Sequence, residues 1–395
     1  MVNRVWLVAS LALPFVWFVL HGLHLISEPP TVALWAGLAI FGAAFLLSWG
    51  CEVIQLDIPQ ALALALLALI AVLPEYAVDM YFAWQAGKDP RYTAYATANM
   101  TGANRLLLGI GWATPVIIAW LRFKQKEVLL PRESAVEVRY LALATFYSFL
   151  IPLKDSLSLL DTVVLFTIFA FYVRAATRAH HEEPELEGCA LMIAGLGVKG
   201  RRLAVAALGI IAGAAILSAA EPFAESLIDL GRHWGVEEFL LVQWLAPLAS
   251  ESPEFIVVIM FAWRGAAAAG ISTMISSKVN QWTLLVGALP LVFAMSAGGF
   301  HHMVLDHRQR EEIFLTSAQS IFGLMIIANY SFGLWEALAL FLLFLLQFAF
   351  PDEHARWIFA WGYIAIAGAI FAFNGASRRA LLDLIWNRGV SAPVS

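Results

Sequence analysis

"AVLPEYAVD" at 71–79 and "ASESPEFIVV" at 249–258 decide how this chain is read. Each sets a proline–glutamate pair inside an apolar run long enough to cross a membrane. Proline removes a helix hydrogen bond, and a carboxylate in hydrocarbon is costly unless it has partners. A chain that does this twice has a use for it.

The surrounding composition sets the class. Of 395 residues, 61% are hydrophobic and 13% charged, and the mean hydropathy is +0.77. Soluble domains carry about 25% charged residues, so the chain reads as a polytopic membrane protein. Apolar runs of helical spanning length recur with no strand-type alternation, which excludes a β-barrel and leaves an all-α architecture. The net charge of −5 gives no sign of nucleic-acid binding, and Cys51 and Cys189 make no disulfide framework. Residues 1–25 resemble a signal peptide, but the run is long and no A-x-A site follows, so a retained first helix is expected.

Spans are predicted at 5–25, 32–54, 58–87, 93–121, 135–153, 157–177, 202–230, 237–264, 268–297, 313–331, 333–350 and 355–374. With the N-terminus cytoplasmic, Lys and Arg on cytoplasmic segments outnumber those opposite by two to one, which favours both termini inside. The Pro-Glu runs fall on the third and eighth spans. An odd offset makes the two helices antiparallel, the logic of inverted repeats in secondary transporters.

Placing Pro74 on Pro253 also places "FAW" (82–84) on "FAW" (261–263) without a gap. Further on, "ANMTGAN" (98–104) and "STMISSK" (272–278) are small polar heptads that precede apolar runs, the first delayed by a polar turn, "GKDPRYT" (87–93). Small polar residues let backbones approach closely and offer oxygens to an ion. Each half therefore supplies a broken helix with a carboxylate and then a helix with a polar segment.

These residues resemble the sodium/calcium exchanger membrane region of the calcium/cation antiporter superfamily. Its two inverted α-repeats carry G-T-S-x-P-E and, further on, G-N-x-x-G-S-N or G-S-D. The resemblance implies two inverted five-helix repeats with about one extra helix at each end, 10–12 transmembrane helices in all. It divides the chain into an N-terminal membrane half (1–177, first repeat about 66–113), a cytoplasmic connecting loop (178–201) and a C-terminal half (202–395, second repeat about 245–290). It implies that Glu75 and Glu254 are the metal-coordinating glutamates, and it matches Asn99, Asn104, Ser250 and Ser277 to the other cation-binding positions.

Three departures stand out. Ala71 and Val72 replace small or hydroxyl residues; Asp79 and Glu251 add carboxylates, which join the candidate cation-binding set; and Lys278 stands where the family has Asn or Asp. Lys278 has three readings: a tethered, titratable cation that replaces one ion, a fixed salt bridge with Glu251 or Glu254, and a misaligned, lipid-snorkelling or inactivating position. Arg105 is expected to pair with a carboxylate, "HHMVLDH" (301–307) to form an interfacial loop, and Gly209 and Gly213 to serve helix packing.

The expected function is a secondary active cation antiporter working by alternating access around a midplane carboxylate site. The alternatives are a proton-coupled calcium or sodium exchanger in which Lys278 replaces one ion, and a transport-inactive membrane sensor or assembly protein. A membrane-embedded hydrolase has no need of internal symmetry, so no enzymatic activity is expected. No cofactor is expected beyond the transported Na+, Ca2+ or H+. The expected partners are small inorganic cations and the lipid bilayer, in a bacterial-type plasma membrane, with the oligomeric state open and a monomer admissible.

Overall fold

Apolar runs in a bilayer leave backbone amides no water to bond, so the chain satisfies them within helices. The computed structural model describes residues 2–57, 73–177, 186 and 188–385. In chain order the helices are α1 (Val2–Gly22), α2 (Pro29–Ile54), α3 (Leu73–Ala86), α4 (Tyr92–Leu106), α5 (Ala113–Phe123), α6 (Ala135–Ser148), α7 (Leu159–Ala176), α8 (Gly188–Ala194) and α9 (Val198–Trp234). They continue with α10 (Glu238–Trp263), α11 (Ala267–Asn280), α12 (Val286–Ala297), α13 (His307–Ile327), α14 (Leu334–Ala349), α15 (Glu353–Phe373) and α16 (Gly375–Ile385). A π-helical turn joins α4 to α5 (Leu107–Trp112), and another joins α11 to α12 (Gln281–Leu285). Among the described residues, seven helices are long and apolar enough to cross a membrane, or eight when α10, bent by 57° beside Pro253, is taken as one span. This is the all-α membrane architecture expected.

The predicted spans coincide with these helices, except that residues 58–72 of the third, including Ala71 and Val72, lie outside the described residues. Among its described residues, the stretch read as a connecting loop holds a short helix, α8, whose "GCALMIA" is apolar enough to bury Cys189, Ala190 and Ile193, and the start of α9. The short connections also hold structure that helical periodicity does not reveal. β1 (Glu127–Leu129) pairs antiparallel with β4 (Ser331–Gly333), and β2 (Ser156–Leu157) with β3 (Met303–Val304).

Two compact units interleave along the chain: Met1–Gln85 with Thr177–Pro253, and Ala86–Ala176 with Glu254–Ser395. One boundary falls within a Pro-Glu pair, since Pro253 closes one unit and Glu254 opens a segment of the other.

In the first unit, α2 and α9 pack along each other. Gly37 makes room for the Phe223 ring, to which an added Cβ would come within 3.0 Å. At one end Arg201 NH2 lies 2.7 Å from Asp57 Oδ1, and Arg202 Nε adds a contact at 3.3 Å. This guanidinium holds the Asp57 carboxyl below the usual carboxylate range. Trp17 Nε1 donates to Ser218 Oγ at 3.1 Å, which ties α1 to α9. Gly209 and Gly213 open onto empty space in this unit, so the packing role expected of them is not made within it.

In the second unit, α13 is buried along most of its length against α4, α6 and α15. Its start is fixed by a capping box, in which Asp306 accepts from Gln309 N at 2.8 Å and Gln309 Oε1 accepts from Asp306 N at 3.1 Å. Buried Asp161 closes the turn between α6 and α7, accepting from Tyr147 OH at 2.8 Å, from Ser158 N at 2.7 Å and from Lys154 Nζ.

Candidate functional site

In the first unit, α3 carries Glu75 and Asp79 at i and i+4, so helical geometry puts both on one face, and both are buried. Two residues on, Tyr81 OH donates to Glu225 Oε1 at 2.6 Å and accepts from Gln85 Nε2 at 3.0 Å. Ser250 and Glu251 are buried on α10. The Ser250 hydroxyl donates to its own helix, at 3.2 Å to Ala246 O and 3.3 Å to Pro247 O.

The second unit holds the other candidates. Glu254 Oε2 accepts a hydrogen bond of 2.7 Å from Ser277 Oγ. Ser276, one residue earlier, bonds Tyr172 OH at 2.7 Å, and Ser272 bonds Ser134 at 3.0 Å. Of these three serines on α11, two therefore hold the scaffold and one meets a Pro-Glu carboxylate. On α4, Thr101 and Thr97 each donate to the carbonyl four residues earlier, at 2.7 Å. Asn99 and Asn104 are both buried, but five residues along a helix place them about 140° apart, so they serve different faces.

Lys278 is fully buried. Its Nζ donates to Asn104 Oδ1 at 2.6 Å and to Asn104 O at 3.2 Å, and it sits 4.5 Å from the centroid of the Trp282 ring. All three neighbours are electron-rich and lack a proton to offer, which suits an ammonium. Asn104 Nδ2 is occupied by Met100 O at 2.8 Å, which turns Oδ1 toward the lysine.

Asn104 and Lys278 are the last residues of the two polar heptads, and a π-turn begins three residues after each. Equivalent positions of the two polar heptads thus touch directly. Spacing alone did not foresee this contact, because none of the sequence readings of Lys278 named Asn104 as its partner.

Arg105 does pair with a carboxylate, Glu312, with NH2 to Oε2 at 2.6 Å and both side chains buried. The pair opens onto a larger network that the sequence reading missed. Arg356 reaches Glu311 Oε2 at 2.9 Å and Glu312 Oε1 at 4.0 Å, and Trp357 Nε1 donates to Glu311 Oε1 at 3.0 Å. His307, at the end of "HHMVLDH", lies 2.7 Å from Glu311 Oε1 and 4.0 Å from Glu353 Oε1. These three groups are close enough to hold a metal ion. Arg356 already neutralises Glu311, however, and the cluster sits at two helix N-termini, whose dipoles repel cations, so it is read as part of the ionic network. The available signal was the doublet Glu311–Glu312 at the head of a span, opposite the lone arginine of another.

Comparison with known proteins adds the following. The profile of the sodium/calcium exchanger protein family matches residues 29–178 and 204–351. A solved structure described as the H+/Ca2+ exchanger CAX is 42% identical, with a TM-score of 0.93 and 98% of both chains covered. The structure of native YfkE matches at a TM-score of 0.62 and 13% identity, covering 92% of this chain and 99% of that one. The sodium-calcium exchanger NCX_Mj matches at 0.53 and 15% identity, covering 87% of this chain and 100% of that one. The last two likenesses concern the fold alone. A search of curated proteins returns no match.

Proposed function

The chain belongs to the sodium/calcium exchanger family, and from that premise we propose that it exchanges calcium against protons. Its most informative relative here, 42% identical over nearly the whole chain, is described as an H+/Ca2+ exchanger. The observation that carries the choice of coupling ion is Lys278. Where the family pattern has a neutral or acidic side chain, this chain buries an ammonium bound to Asn104.

The carboxylates of the two Pro-Glu turns, Glu75 and Glu254, meet the transported cation. Asp79, Glu251, Ser250, Ser277 and Asn99 supply further oxygens, and Asn104, whose oxygens accept from the Lys278 ammonium, serves the site through that lysine. Calcium takes six to eight oxygen ligands, and carboxylates supply both its charge balance and its coordination. The same oxygens bind protons. Protonated or calcium-bound carboxylates can cross a low-dielectric environment, whereas bare ones are strongly penalised, and this exclusivity is what couples the two fluxes.

Lys278 contributes one positive charge that does not leave. It fills the share of the site that a sodium ion takes in a sodium-driven relative, so the remaining carboxylates answer to calcium and protons. The Lys/Arg bias of the loops favours both termini on the cytoplasmic side, and a bacterial-type plasma membrane is the proposed location.

The test is calcium flux in reconstituted vesicles under separate pH and sodium gradients. Flux driven by the pH gradient and indifferent to sodium is expected. Flux that needs sodium overturns the coupling, and calcium binding without flux makes the protein a sensor. Lys278→Asn gains sodium dependence; unchanged ion preference removes the lysine from the account.

A further inference from the structure

An arginine and a glutamate buried together in a membrane helix bundle cost more than the apolar residues that would fill the same space, so their presence asks for a use. The best-attested use of a buried ion pair is to fix register. Here the register at stake is that of α4 as it enters its π-turn.

A π-turn is one residue inserted into a helix. It can sit one position earlier or later at little cost, because every arrangement still bonds its amides. Sliding it past Asn104 would rotate that residue by about 100° and carry Oδ1 away from Lys278. Something must hold the insertion after Leu106.

Arg105 stands between Asn104 and that turn, and α13 grips it twice. Glu312 Oε2 takes the guanidinium at 2.6 Å, and Gln319 Nε2, two turns along the same helix, donates to the Arg105 carbonyl at 3.4 Å. The guanidinium also ties back to α4, Nε to Thr101 O at 3.4 Å. Among the described residues, the charged groups that face this pair include Arg308 and Glu311 of α13 and Arg356 of α15, and Tyr363 of α15 also faces Arg105.

We propose that Arg105 and Glu312 are positioning residues that pin the first π-turn and so keep Asn104 on Lys278. The pair thereby sets which monovalent ion the exchanger answers to without touching the transported ion. The inference rests on Lys278 standing in for a cation.

The test uses the full-length protein in vesicles and compares calcium uptake under sodium and pH gradients for Glu312→Gln, Lys278→Asn and the double variant. Glu312→Gln is expected to raise sodium-driven uptake at least threefold, toward the level of Lys278→Asn, and the double variant to match Lys278→Asn alone. A Glu312→Gln protein with reduced turnover and unchanged ion dependence overturns the proposal, as does an effect that multiplies with that of Lys278→Asn. Should Glu312→Gln fail to fold, Gln319→Met removes the other grip without disturbing a charge, and the same outcomes apply at about twofold. If Lys278→Asn keeps the parent's ion dependence, both this proposal and the reading of Lys278 fall. If only Lys278→Asn changes it, this proposal falls alone.

Discussion

The helical pair α4–α5 and its counterpart α11–α12 share a backbone plan and differ in chemistry. Each runs through a polar heptad, reaches a residue that contacts its counterpart, and then inserts a π-turn. In the first, threonines bond back to their own helix and the heptad ends in Asn104; in the second, serines bond outward and it ends in Lys278. Backbone symmetry is retained where the helix must break, and chemical symmetry is given up where an ion would otherwise bind. Repeats of this kind conserve a geometry and are free to specialise its contents.

The difference is most sharply broken at the carboxylate that the second helix serves. Glu254→Gln keeps the shape and the Ser277 contact but removes the charge that balances calcium. Losing one member of a desolvated charged interaction costs about 2–5 kcal/mol, so calcium transport should fall by about 100-fold or more, measured as initial uptake in vesicles. Glu75→Gln should match it on the other side of the repeat. A residual rate near that of the parent for either would remove that carboxylate from the site.

Asn104→Leu comes next. It strips the lysine of its amide acceptor while filling the space, and hydrogen bonds to charged groups contribute about 1.5–3 kcal/mol. Transport should drop by about tenfold, with the sodium response of Lys278→Asn appearing alongside. Ser277→Ala removes one donor from Glu254 and should raise the apparent KM for calcium by several-fold with turnover nearly kept.

The π-turns give a comparison in stability. Gly109, in the first, lies directly under the Phe344 ring, where an added Cβ would clash; the equivalent Thr283 bonds Val279 O at 2.5 Å. Gly109→Ala should destabilise the detergent-solubilised protein by about 1–3 kcal/mol, as overpacking does, and Thr283→Ala by less, read from thermal unfolding.

The smallest effect lies away from the repeats. The depressed carboxyl of Asp57 stabilises the α2–α9 contact above the ordinary carboxylate range, and that contribution fades as the pH falls through its lowered value. Asp57→Asn should therefore lower stability slightly in the neutral region and leave the acid end nearly unchanged, so that the acid limb of the unfolding profile flattens.

Much of this was legible in the sequence because hydrophobic period and prolines are local signals. The spans, the Pro-Glu pairs and the alignment of "FAW" on "FAW" came from counting. The π-turns did not, because one inserted residue leaves "RLLLGIGW" as apolar as before and marks no change of composition. The Arg105–Glu312 pair was legible as a need but not as a partner, since an arginine in a span requires a carboxylate without saying which. The contact between Lys278 and Asn104 was hidden for a different reason. The salt-bridge reading looked for a carboxylate, and nothing in the spacing pointed from Lys278 to its own counterpart in the other repeat, Asn104.

The central claim is that calcium moves against protons, and it is tested most directly by watching protons. Sealed vesicles holding the reconstituted protein and a lumenal pH dye are given external calcium in sodium-free buffer. The lumen should become alkaline as calcium enters, and added sodium should leave the rate unchanged. A lumenal pH that stays flat while calcium enters, or that responds only once a sodium gradient is supplied, would contradict it.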